Sequence, residues 1–215
     1  MNNLWVFGDS ASAPFYDSST EWRRKYVEWK GYIPKHYTQL LSEYLNLELK
    51  VFAIDGASNH NIFEMFCQHV KSINKDDIVI FNWTEGSRFR LVSDTQEWHS
   101  IGVWYIDNPK SFDRFSNISI DTVEQILINR SDNLKTIYDE VHHWIHFINH
   151  HLSNNKVIHW TPRKQDDFNI LQIYGCETIL DETKNEVSDL HLSEKSNVEV
   201  FEFLKAEIKN IKNII

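Results

Sequence analysis

Cysteine is scarce: Cys67 and Cys176 are the only two in 215 residues, far apart and in no metal-binding spacing. That pattern establishes no disulfide framework, and two free thiols in a reducing compartment are the expectation. Long apolar runs are also missing, so no segment is expected to cross a membrane. Leu4–Phe7 is too short for the apolar core of a signal peptide, because Gly8-Asp9-Ser10 follows at once. The expected setting is therefore cytoplasmic or particle-associated. A basic excess is absent as well: 22 Lys and Arg stand against 31 Asp and Glu, a formal charge of -9. Such a chain lacks the positive face that meets phosphates, which argues against nucleic acid as a partner. With no internal repeat and no low-complexity linker, residues 1–215 read as one α/β domain. Oligomeric state leaves no readable signal.

What is present is an ordered alternation. Leu4-Trp5-Val6-Phe7 reads as a buried strand ending in the turn Gly8-Asp9-Ser10. Tyr37, Leu40, Leu41, Tyr44 and Leu45 recur at helical spacing, and residues 49–54 form a second strand stopped by Asp55-Gly56. Ile62, Phe63, Phe66, Val70 and Ile73 mark a helix, and Ile78–Phe81 a third strand. After a long irregular stretch, an amphipathic helix runs from Leu134 to Leu152. Val157–Trp160 is expected as strand four and Glu177–Leu180 as strand five. A last helix runs from about Glu194 toward Ile211, with Ser193 as its N-cap. Strands alternating with helices imply a parallel sheet covered on both faces, with ligands beyond the carboxyl ends of its strands. Ser10, Gly56 and Asn82-Trp83-Thr84 each follow a strand and should converge there.

A serine in the turn after a first strand can present its hydroxyl where a following helix aims N–H groups at developing negative charge. It needs a base. The segment Ser188-Asp189-Leu190-His191-Leu192-Ser193, just before the last helix, supplies an imidazole with a carboxylate two residues away; Asp181 and Glu186 are more distant alternatives. Together, Gly8-Asp9-Ser10, Gly56-Ala57-Ser58-Asn59 and Asp189-Leu190-His191-Leu192-Ser193 resemble the GDSL/SGNH hydrolase family, in family order over nearly the whole chain. The resemblance implies a flavodoxin-like three-layer α/β/α sandwich with a doubly wound parallel sheet of about five strands. It implies serine-dependent hydrolysis of an ester or acyl group with no metal and no cofactor. Ser10 would be the nucleophile, His191 the general base and acid, and Asp189 the residue that orients the imidazole. The N–H groups of Ser10 and Gly56 would line an oxyanion hole.

The third family block, Gly-x-Asn-Asp, is replaced by Asn82-Trp83-Thr84-Glu85. Strand register puts Thr84 where the family has its asparagine, with Asn82 as the rival donor. Asp and His, often three apart in the family, are two apart here. Asp9, Asn59, Trp83 and Arg88 are the expected substrate-binding residues, Arg88 and Arg90 being suited to a substrate carboxylate.

Two aromatic-rich insertions, at about 13–35 and 93–130, hold Phe15, Tyr16, Trp22 and Trp29 in the first and Trp98, Trp104, Tyr105 and Phe112 in the second. Such loops either bind substrate or form satellite cores. His142, His146 and His150 share a helix face at metal-ligand spacing, but no carboxylate completes a recognised pattern, so no metal is expected. The leading reading is an esterase acting on a small-molecule or carbohydrate ester, most simply a carbohydrate deacetylase. Alternatives are an O-acyltransferase with the same triad and a catalytically weak carbohydrate-binding module on the same fold.

Overall fold

The computed structural model describes residues 2–16, 20–102, 113–162, 164, 170–187 and 191–212, the side chains of the last two excepted. Its centre is a five-stranded sheet made of β1 (Asn3–Gly8), β2 (Glu48–Ala53), β3 (Ile78–Asn82), β6 (Lys156–Thr161) and β7 (Leu171–Gln172). The order is β2-β1-β3-β6-β7 and every pairing is parallel. The helices are α1 (Glu21–Lys30), α2 (Tyr37–Leu45), α3 (Asn59–His69), α4 (Ile120–Asp132), α5 (Leu134–His151), α6 (Ile179–Glu182) and α7 (Glu194–Lys212). A separate antiparallel hairpin pairs β4 (Phe89–Val92) with β5 (Trp98–Ile101).

Two-residue periodicity divides the core. Trp5, Phe7, Val79 and Phe81 face one side, against Ile62 and Phe66 of α3 and Val141, Ile145 and Ile148 of α5. Leu4, Val6, Ile78, Ile80, Ile158 and Trp160 face the other, against Leu41 of α2 and Val200, Leu204 and Ile208 of α7. A strand buried on both faces reads as a near-continuous apolar run, and β1 and β3 are buried throughout, apolar from Leu4 to Phe7 and from Ile78 to Phe81. This is a three-layer α/β/α fold, as expected.

Two local expectations are corrected. The fifth strand is Leu171–Gln172, not Glu177–Leu180. Thr178 makes only an isolated bridge to Leu192, and its hydroxyl caps the helical turn of α6. Asp181 completes the reciprocal cap by accepting from the Thr178 N–H and hydroxyl, a local pattern that outcompetes extension. The stretch read as irregular holds the β4–β5 hairpin and α4, whose Val123 and Leu127 pack with Ile101 and Phe115 in a small satellite core. Neither cysteine carries a disulfide. Among the described residues, no helix is long and apolar enough to cross a membrane.

The order matters for the site. From β1 the chain moves to β2 on one side and then to β3 on the other, so the switch point lies at β1, where crevices form at strand carboxyl ends.

Candidate active site

Ser10 begins a single 3₁₀ turn immediately after β1. The turn is tight because of Gly8: a Cβ there would lie 2.6 Å from Ser12 Oγ and 2.8 Å from Ser12 Cβ. Ser12 is itself fixed. Its hydroxyl donates to Asn82 Oδ1 at 3.0 Å, which leaves Tyr37 O–H to donate to Ser12 Oγ at 2.6 Å. Asp9 caps the turn by accepting from the Ala11 N–H at 3.0 Å, and its other oxygen meets Arg88 Nη1 at 3.1 Å.

Arg88 ties three loops together. Besides Asp9 after β1, Nη1 reaches the Ala57 carbonyl after β2 at 3.1 Å, and Nε reaches Glu85 after β3 at 3.2 Å. Asn59 adds a second tie between the latter two: its side chain accepts from the Thr84 N–H at 2.8 Å and donates to the Thr84 carbonyl at 3.1 Å. Gly56 sits at φ +72°, a left-handed conformation that favours glycine at that turn.

These contacts place the expected substrate contacts differently from one another. Asp9, Arg88 and Asn59 build the framework of the loops, each with its polar groups engaged by protein. Trp83 belongs to the core on the α3/α5 face, fully buried, with its indole N–H donating to His159 Nδ1 at 3.1 Å and its ring stacked on Phe81. It follows Asn82 on the strand and takes the opposite face by simple alternation. That corrects the expectation that Trp83 meets a ligand. Arg90 pairs with Glu64 and lies over the Trp98 ring.

Both rivals for the third oxyanion donor hold an unsatisfied polar atom. Thr84 Oγ1 and Asn82 Nδ2 are buried without a hydrogen-bond partner. A buried polar atom left unpaired costs about 1–3 kcal/mol, and each of these two keeps the capacity to donate.

At the opposite end of the chain, residues 191–193 lie antiparallel to 177–179. The Ile179 N–H donates to the His191 carbonyl at 2.8 Å, and the Ser193 N–H to the Glu177 carbonyl at 3.1 Å. Ser193 caps α7 through the Ser196 N–H at 3.3 Å. Asn197 locks that helix start to α2, donating to the Leu192 and Ser193 carbonyls and accepting from the Tyr37 N–H.

The two ends meet in one small recess lined by Ser10, Phe15, Trp22, His36, His191 and Asn197, with Ala11, Ala13 and Leu192 completing the wall. Its volume of about 10 Å³ is room for about one water-sized group. Two histidines line it, and they are not equivalent. His36 Nε2 donates to the Ala11 carbonyl at 3.1 Å and Nδ1 accepts from Thr38 Oγ1 at 3.0 Å, so both nitrogens are committed. Burial pushes His36 down from 6.5 to about 3, which keeps it neutral. His191 instead lies flat on Trp22, with ring centroids 4.0 Å apart and planes 5° from parallel.

Asp189 lies outside the described residues. Of the alternative acids, Asp181 serves the α6 cap and Glu186 accepts from Trp29 Nε1 at 2.9 Å. No group of three His, Cys, Asp or Glu among the described residues is arranged to hold a metal ion; His146 and His150 are exposed on α5. Of the insertion aromatics, Phe15 and Tyr26 form a satellite core with Ile179 and Val187, whereas Trp104, Tyr105 and Phe112 lie outside the described residues. Three recess residues went unrecognised in the sequence as parts of a site. Trp22 stood out only as one aromatic among several, and His36 and Asn197 carried no signal beyond their polar type, since distant chain segments define their roles.

No family model matches the chain, and no curated protein matches it. Among solved structures it is similar to an acetyl xylan esterase, at 16% identity over 96% of this chain and 99% of the other, with a TM-score of 0.45. It is also similar to a lipase from a goat rumen metagenome, at 13% identity over 74% of this chain and 63% of the other, with a TM-score of 0.34.

Proposed function

We propose that the chain hydrolyses a carboxylic ester of the GDSL/SGNH kind, with Ser10 as nucleophile and His191 as general base. The observation that carries this reading is that Ser10 and His191, from opposite ends of the sequence, line one recess beyond the carboxyl end of β1. The only other described imidazole in that wall has both nitrogens committed.

In this mechanism His191 removes the Ser10 hydroxyl proton as Oγ adds to the acyl carbonyl carbon. The carbonyl oxygen becomes an oxyanion that accepts from the N–H groups of Ser10 and Gly56 and from the Thr84 hydroxyl, with Asn82 Nδ2 as the alternative third donor. Collapse breaks the bond to the alcohol oxygen, which takes its proton from the His191 imidazolium. Water, deprotonated by His191, then attacks the acyl-serine, and the carboxylic acid leaves with Ser10 regenerated. Asp189 is assigned the orienting role because its two-residue spacing from His191 suits it. The substrate class proposed is a small acyl group such as acetyl, carried on a larger alcohol such as a sugar.

The test is covalent labelling with a fluorophosphonate probe, followed by peptide mass spectrometry, on wild type, Ser10→Ala and His191→Ala. Adduct on Ser10 in wild type alone is the expected result. A folded wild type that resists labelling overturns the reading.

A further inference from the structure

We infer that Trp22 is a positioning residue for the general base: its indole face sets the plane of the His191 imidazole. The inference rests on the esterase reading, since it gives His191 a task that needs an oriented ring. A face contact at 4.0 Å and 5° uses neither ring nitrogen. The stack itself therefore blocks neither in-plane position, one of which a base turns toward a serine and the other toward an orienting acid. A hydrogen bond to the ring, or an edge contact blocking one nitrogen, would fix the plane at the cost of that chemistry. Aromatic stacking of this kind is strong enough to favour one ring orientation over others by several-fold. The same indole face attracts a cation, so the stack also suits the imidazolium that forms when the serine is deprotonated.

The platform is held from both sides of the site. Phe15 meets Trp22 edge-on with centroids 6.4 Å apart. The next residue, Arg23, is buried, pairs with Asp55 just before Gly56, and places its guanidinium 4.7 Å from the Trp22 ring centre. One turn further along α1, Tyr26 donates to Glu182 and accepts from the Glu194 N–H at 2.8 Å, and Lys30 bridges Glu182 and Glu194 at 2.6 and 2.7 Å. Thus α1 is bound at one end to the loop after β2 and at the other to the segments flanking His191. An insertion rich in aromatics becomes a rigid mount for one indole, whose function is to aim the imidazole.

The experiment combines two readouts on wild type, Trp22→Phe and Trp22→Leu, with thermal melts to confirm folding. Proton NMR, with His191 signals assigned by their loss in His191→Gln, reports the stack directly through ring-current upfield shifts. These should persist in Trp22→Phe and vanish in Trp22→Leu. The rate of fluorophosphonate labelling at Ser10 reports the aim of the base. It should fall about tenfold to a hundredfold in Trp22→Leu and recover to within about threefold of wild type in Trp22→Phe. Loss of the upfield shift with an unchanged labelling rate overturns the positioning role and leaves the serine reading intact. Equal losses in the Phe and Leu variants reduce Trp22 to packing and overturn it too. A wild type that shows the stacked shifts but takes no label fails at the esterase reading instead, and the inference falls with it. Should Trp22→Leu fail to fold, the Phe variant still decides: a loss of labelling beyond tenfold with the upfield shift retained contradicts the role.

Discussion

The turn after β1 leaves almost no freedom to its residues, and Gly8 shows this most simply. A methyl group at that position would collide with a Ser12 side chain that hydrogen bonds to Tyr37 and Asn82 hold in place. Gly8→Ala should destabilise the protein by about 1–3 kcal/mol, measured by urea unfolding, and should slow labelling of Ser10. Thr84 gives the opposite signature. Its buried hydroxyl has no partner, so Thr84→Val should leave thermal stability unchanged or raised while lowering turnover about a hundredfold. Stability and turnover measured together on that variant test the role. Unchanged turnover would transfer the third donor to Asn82 Nδ2. Neither residue's importance could be read from its identity alone, since glycine and threonine after strands are common. What marks them is the space around one and the missing partner of the other.

Between elements, the site depends on loops tied to one another rather than on any single helix. Arg88 and Asp9 are a buried ion pair, with side chains 9% and 6% exposed. Removing one partner strands the other charge, at a typical cost of about 3–5 kcal/mol. Arg88→Met should therefore lower the unfolding free energy measured by urea melts by that order, and it should also reduce activity, because the loops after β1, β2 and β3 lose their shared anchor. The charge of Arg88 and its place after strand three suit it to a substrate carboxylate. The sequence shows a cation near the site but not the carboxylate it meets, since Asp9 comes from a distant segment. The same limit applies to Glu177–Leu180, expected as a strand, where the Thr178–Asp181 cap produces a helical turn. The hairpin β4–β5 and α4 were missed because their apolar residues face a satellite core and not the sheet.

For the whole molecule, burial of His36 makes stability depend on pH. The native state keeps the imidazole neutral down to about 3, whereas the unfolded chain takes up a proton near 6.5. Below 6.5 the unfolded state therefore binds more protons, and stability falls as pH drops from 6.5 toward 3. Between pH 7 and pH 5 the loss from this residue is about 2 kcal/mol. Urea melts at both values should show it, and His36→Gln should lack that share of the decline. The alternation of apolar runs in the sequence determined the layered fold, because a strand buried on both faces and a helix with one buried face have different periods wherever they occur. It also determined the turn that carries Ser10 after the first strand and the cap at Ser193 before the last helix, since both are local patterns. Only the tertiary structure decided which polar residues share the recess, which of its histidines is committed elsewhere and which arginine is already paired. Those outcomes depend on contacts between segments far apart in the chain, and such contacts leave no period or spacing behind in the sequence.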